Sequence, residues 1–229
     1  MLALAAVALT SGCSDEADRK AMARWAAAYT SQCEKAIAND PSLAGDGPSF
    51  CTCVATRYAA KFRAVQLPLM FVSKPLHDAG SAMTTECALI ASIEDEYYRL
   101  RESLSAHNDL AATAYLAPDF VGTDVRGRDE DAKQMLYRMK SYRKDAAQIT
   151  TVLSAREIGK RMAVGRKVLE VTKVTVGRKS QTLETLTFFS DTWIDSDGTW
   201  LLQRSRVDRI DTYVDGRLAS KVTSTGQAR

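Results

Sequence analysis

Apolar residues recur every three or four positions through roughly the first hundred residues, then at every second position in four stretches between Gln148 and Asp211. The chain therefore passes from helical to strand periodicity near its middle. From Ala17 to Ala38, the residues Met22, Trp25, Ala26, Tyr29, Cys33 and Ile37 share one helical stripe, which Asn39-Asp40-Pro41 ends. Ser49 is placed to cap a second helix from Phe50 to about Val65. Ser73 and Pro75 open a third over much of Leu76 to Ile90, and the intervening apolar run Leu67 to Val72 is broken by Pro68 and carries no assignment. Ile93 to Ala117 reads as a further helical region, interrupted by a polar turn from Ser105 to Asp109 that holds His107, with Asn108 or Asp109 capping the second part.

Beyond Pro118, Phe120 to Asp124 reads as a short strand and Arg128 to Tyr142 as a helix with Ala132, Met135, Leu136 and Met139 facing inward. Four strands follow, at Ile149 to Glu157, Met162 to Val176, Thr182 to Ile194 and Trp200 to Ile210. Their turns fall at Gly159-Lys160, Gly177-Arg178-Lys179 and Asp195-Ser196-Asp197-Gly198, the last ending in an Asp-Gly hairpin signal. Gly165 within a strand predicts a bulge or sharp bend. The expected fold class is α+β: a curved antiparallel sheet with packed helices, preceded by a small all-α segment. The expected division is 1–12 as a signal segment, 13–91 as a helical domain, 92–217 as the sheet domain and 218–229 as a polar, flexible tail.

Composition narrows the function classes. In 229 residues there are 31 basic and 28 acidic side chains, a net charge of +3, so no concentrated field points to nucleic acid. With two histidines, no phosphate-cradling glycine loop and no serine elbow motif, neither a metal site nor a nucleotide cofactor is expected.

Met1 to Thr10 is almost wholly apolar and is followed by Ser11, Gly12, Cys13 and the polar run Ser14-Asp15-Glu16. A segment this short cannot span a bilayer but fits an export signal. Leu9-Thr10-Ser11-Gly12-Cys13 resembles a bacterial lipoprotein processing site, which implies lipidation of Cys13, attachment to a membrane through it, and a place in the cell envelope facing the periplasm.

Apart from Cys13 there are four cysteines, Cys33, Cys51, Cys53 and Cys87, all in the helical segment. Three short helices bury little core, and an even cysteine set in an exported chain reads most simply as two disulfides. Cys51 and Cys53 lie too close on one helix to face the same way, so each is expected to reach a different helix, one bonding to Cys33 and the other to Cys87. Redox exchange at Cys51 and Cys53, or zinc held by the four with His77, are the alternatives, and neither has the usual spacing.

The order of elements, with Ala117-Pro118-Asp119-Phe120-Val121-Gly122-Thr123-Asp124 at the first strand and Asp191-Thr192-Trp193-Ile194-Asp195-Ser196-Asp197-Gly198-Thr199-Trp200 at the last hairpin, resembles the SnoaL and nuclear-transport-factor-like superfamily. The resemblance implies a cone of α+β structure, a pocket between sheet and helices, and a homodimer through the sheet. It would place a general base at Asp124 and, near Leu100, an oxyanion donor for which Tyr97 stands one turn away. A second acid would fall near Ser190, with Asp191 expected on the opposite strand face. Tyr115, Phe189, Trp193 and Arg204 are the candidate ligand-lining residues. The leading expectation is a noncatalytic envelope lipoprotein binding a small apolar molecule, a peptide or a protein partner; the alternative is an isomerase, hydratase or hydrolase using Asp124.

Overall fold

The computed structural model describes residues 11–39, 47–106, 108–140, 147–176 and 179–224, and the chain divides into two compact units, Met1–Ser92 and Ile93–Arg229. Residues 1–10, His107 and the Gly177-Arg178 part of one expected turn lie outside the described residues.

In the first unit, α1 (Ser11–Asn39) and α2 (Gly47–Lys61) are followed by two short 3-10 turns, Ala64–Gln66 and Pro68–Phe71, and by the start of α3 (Lys74–Ser105). The expected break between a helix ending at Ile90 and another starting at Ile93 does not occur. No glycine or proline lies there, and Ser92, although a residue type that can cap a helix, stays helical as the helix propagates through Ala91 and Ser92. Met22, Val54, Ala55, Phe62 and Ile90 are buried, and Trp25 stacks on Tyr29 and Tyr58 with ring centroids 5.2 and 5.7 Å apart. Cys33 bonds to Cys51 and Cys53 to Cys87, with Cα atoms 5.7 and 5.6 Å apart. Two residues of helix turn through about 200°. That rotation sends Cys51 to α1 and Cys53 to α3. With every one of these sulfurs in a disulfide, the four are not zinc ligands in this structure, and Cys51 and Cys53 are bonded to different helices rather than to each other.

The second unit begins with the remainder of α3. Asn108 caps α4 (Asp109–Thr113) by accepting from Ala111 N at 3.0 Å. The chain then enters β1 (Leu116–Thr123) earlier than expected, with Pro118 inside the strand. Pairing to β6 is interrupted between Leu116 and Val121, so the missing proline N–H leaves no gap in the ladder. The next helix also starts later than expected. Asp129–Glu130 form a short β2, and α5 (Ala132–Lys140) follows an Asp131/Gln134 capping box in which Gln134 N donates to Asp131 Oδ1 at 2.8 Å and Asp131 N donates to Gln134 Oε1 at 2.9 Å.

The long strands are β3 (Ala147–Ile158), β4 (Arg161–Val176), β5 (Lys179–Ser196) and β6 (Thr199–Val214), with β7 (Arg217–Thr223) closing the chain. They form one curved, unclosed sheet in the order β2-β1-β6-β5-β4-β3, with β7 also paired to β6. Two expectations are corrected. The sheet is mixed rather than antiparallel, because β1 runs parallel to β6. Residues 218–229 are not a tail throughout: Asp215 and Gly216 adopt φ of 49° and 74°, the geometry of a two-residue hairpin turn, and return the chain along β6 as β7. The bend expected at Gly165 is a register shift in the facing strand between Val152 and Ser154. A Cβ on Gly165 would stand 2.8 Å from Ser154 Oγ, so a larger residue there would require the Ser154 side chain to turn aside. At the free edge, Arg101 Nη1 of α3 donates to Gln148 O at 2.9 Å, and Val152 N donates to Glu94 Oε1 at 3.3 Å.

Candidate functional site

Side chains on a strand alternate faces, so β4 sends Val164, Arg166, Val168 and Glu170 to one side and β5 sends Thr187, Phe189, Asp191 and Trp193 to the same side. Their apolar members build a floor, on which α3 lays Tyr97, Leu100 and Leu104. Between this floor, α5 and the β1–β2 turn lies a cavity of about 1540 Å³. Leu100, Leu104, Met135, Val168, Phe189 and Val207 give it apolar walls, while Arg101, Glu102, Asp124, Arg126 and Arg128 are among the polar residues lining it.

Besides Glu170, two deeper charges break the apolar alternation of the floor. The Asp191 side chain is wholly buried and the Arg166 side chain 12% exposed, with Arg166 Nε donating to Asp191 Oδ2 at 2.5 Å. Tyr97 donates its hydroxyl proton to the same Asp191 oxygen at 2.5 Å and accepts from Trp193 Nε1 at 2.9 Å. The Arg166 guanidinium carbon lies 3.8 Å from the centroid of the Phe189 ring and 4.8 Å from that of Tyr97, while Nη2 reaches Ser205 Oγ at 3.4 Å. Asp191 Oδ1 is buried without a hydrogen-bond partner.

Burial first, and then the neighbouring Asp191 charge, push the Tyr97 hydroxyl well above its ordinary value of 10.0. For Arg166, burial opposes the charge, but Asp191 and Tyr97 outweigh it and the net shift is upward. The folded state thus keeps a Tyr97 proton that the unfolded chain releases above about pH 10. Its contribution to stability is complete below that pH and is lost as pH rises toward the folded-state value. Urea midpoints at about pH 9 and about pH 11 should therefore show a steeper alkaline loss in the parent than in Tyr97→Phe. Equal slopes would mean that the hydroxyl is not held protonated by the fold.

Asp124 sits at the β1–β2 turn and does turn-holding work. Its carboxylate accepts from Arg126 N at 2.8 Å, from Arg128 N at 3.0 Å and from Arg128 Nε at 2.8 Å. The Arg128 backbone bond leads the causes that lower its pKa. Asp124 and Tyr97 both line the cavity, yet each is bonded to its own neighbours.

Of the residues expected to line a ligand, Phe189 does so. Trp193 is 0% exposed and stands behind the wall as the partner of Tyr97, while Tyr115 and Arg204 are not among the lining residues described. Tyr115 serves through its backbone, its carbonyl accepting from Leu202 N at 2.8 Å, and Arg204 is exposed. The strand phase expected around Ser190 is also reversed. Ser190 faces out and donates its hydroxyl to Asp208 Oδ2 at 2.5 Å, whereas Asp191 faces in, because it shares the phase of Phe189 and Trp193. Arg166, which with Lys160, Arg161 and Lys167 reads in the sequence as part of a solvated basic cluster at a hairpin end, instead lies inside β4 with its side chain largely buried, although a charge midway between Val164 and Val168 on an apolar strand face is a readable signal.

No protein-family model matches the chain, and no curated protein does. Among solved structures it is similar to a proposed scytalone dehydratase from Novosphingobium aromaticivorans, at 15% identity over 60% of this chain and 93% of that one, with a TM-score of 0.43. A conserved protein from Planctomyces limnophilus gives 14%, 50% and 90%, with a TM-score of 0.42. An NTF2-like protein from Cytophaga hutchinsonii gives 14%, 50% and 93%, with a TM-score of 0.37. None of these likenesses carries a chemistry to this chain.

Proposed function

We propose that this protein is a noncatalytic binder of a small apolar molecule, held in the cell envelope by a lipid on Cys13. The observation that carries the binding reading is the cavity of about 1540 Å³, roomier than the roughly 300 to 1,000 Å³ of most small-ligand pockets, with an apolar stretch formed by Leu100, Leu104, Met135, Val168 and Phe189 beside charged residues such as Arg101, Glu102, Arg126 and Arg128. The noncatalytic reading rests on occupancy. Enolisation needs a free base and a donor aimed at the developing oxyanion. The expected base, Asp124, is committed to three donors in its own turn, and its lowered pKa makes it a weak proton acceptor. The expected donor, Tyr97, already gives its proton to Asp191. The envelope location is supported by the Leu9–Cys13 motif and by two disulfides, which persist in oxidising compartments.

Filling the cavity tests the binding. The neutral dye N-phenyl-1-naphthylamine should brighten saturably on the parent, and Val168→Trp should weaken that binding by about tenfold or more, about 1.4 kcal/mol, while the unfolding midpoint changes little. Unchanged dye affinity in a folded Val168→Trp would remove the cavity as the binding site. Turnover of a neutral ketone that disappears in Asp124→Asn would instead favour the enzyme.

A further inference from the structure

We infer that the apolar 3-10 turns between α2 and α3, residues 65–72, form a bilayer-contacting surface that lays the helical unit against the membrane. The inference rests on the lipid-anchored reading of Cys13. Four large apolar side chains are exposed in this run of eight residues, Val65 at 72%, Leu69 at 48%, Phe71 at 90% and Val72 at 81%. Single exposed apolar residues are ordinary, but a cluster this dense marks a contact surface.

The cluster is presented by a built support. Met70 turns inward, its Cε meeting the position a Cβ would take on Gly80 of α3, with the Tyr58 hydroxyl of α2 alongside. The backbone satisfies itself locally: Met70 N donates to Leu67 O, Val72 N to Leu69 O and Ser73 N to Leu69 O. A segment with internally paired backbone groups can enter the interfacial zone without stranding polar groups in it.

The occupant follows from where the cluster is tied. Ala64 N donates to Asp18 Oδ1 at 2.9 Å, and Arg63 Nη2 contacts Asp15 Oδ1 at 3.2 Å. Both acids lie in the opening turns of α1, within five residues of Cys13, a rise of about 8 Å along the helix. A lipid on Cys13 would therefore bring the surface below it to this turn. Exposed Lys61 before the apolar run suits the headgroup level, as do Arg63 and Lys74, which are exposed and ion-paired to Asp15 and Asp78 at 3.2 and 2.7 Å, with Phe71 and Val72 beneath.

The test uses the full chain, purified from bacterial envelopes and reconstituted in phosphatidylglycerol vesicles with or without bromine on the acyl chains. In Phe71→Trp, the emission added over that of the parent should fall by about half or more in brominated lipid. The intact mass of the same sample reports whether Cys13 is acylated. Quenching with acylation supports both readings. Quenching without it supports the bilayer contact and removes the anchor. Acylation with no quenching overturns the inference and leaves the anchor standing. Emission protected from brominated lipid and from aqueous iodide alike also overturns it, and points to a protein covering the turn.

Discussion

Replacing Asp191 by leucine is expected to cost about 3 to 5 kcal/mol of stability, the scale for breaking a buried ion pair from one side. The Arg166 side chain is only 12% exposed and lies between two aromatic rings, so it cannot turn to water without vacating the floor of the cavity. Its Nε–H would then have no acceptor, and Tyr97 would lose the oxygen that takes its proton. The double variant Arg166→Met/Asp191→Leu should recover most of the loss, because an apolar pair of similar volume has no charge to desolvate. Urea unfolding followed by tryptophan emission in a Trp25→Phe/Trp200→Phe background, where Trp193 is the reporter, measures both. If Asp191→Leu unfolds within about 1 kcal/mol of the parent, the pair is not organising the floor. A double variant no better than the single would mean that shape, rather than charge, is what the site requires.

Removing the bridges should be nearly as costly, but in the other unit. In the chain-entropy account, loops of 18 and 34 residues are worth about 3 and about 4 kcal/mol. The helical unit has a small core, so Cys53→Ser/Cys87→Ser, which opens the longer loop, is expected to melt it at lower temperature than Cys33→Ser/Cys51→Ser does. Thermal scans by circular dichroism, paired with limited proteolysis, should find cleavage in residues 11–92 while the strands stay protected. A reduced protein whose helical signal melts as the oxidised one does would show that packing alone holds this unit.

The α+β class, the two bridges and the hairpin at Asp197-Gly198 could all be read beforehand because each follows from a local rule. Periodicity reveals which face a strand buries, cysteine parity reveals bridges, and Asp-Gly accepts positive φ where most pairs do not. The same rules explain the misses. Asp215-Gly216 is the same dipeptide as Asp197-Gly198, yet the strand after it is exposed throughout, so its polar side chains read as a tail. The parallel pairing of β1 with β6 depends on contacts between residues some eighty positions apart, which no short window contains. At the site, accepting Phe189 and Trp193 as inward fixes Asp191 as inward too, since the strand period is two. Arg166 is harder to read as part of the site, because its partners lie on two other elements, Tyr97 on α3 and Asp191 on β5.

A sheet that does not close leaves a raw edge, and here the edge is β3, where Ile149 is 58% exposed and Leu153 42%. An apolar strand at the edge of a sheet can serve as a template on which further chains grow as aggregates. Two devices blunt it. The register shift beside Leu153 interrupts the flat run a stacking partner would need. The side chains of Arg101 and Glu94 take the Gln148 carbonyl and the Val152 N–H, occupying positions where an incoming strand would bond. These two α3 side chains thus serve solubility as much as architecture, by keeping the edge of the sheet from recruiting other chains.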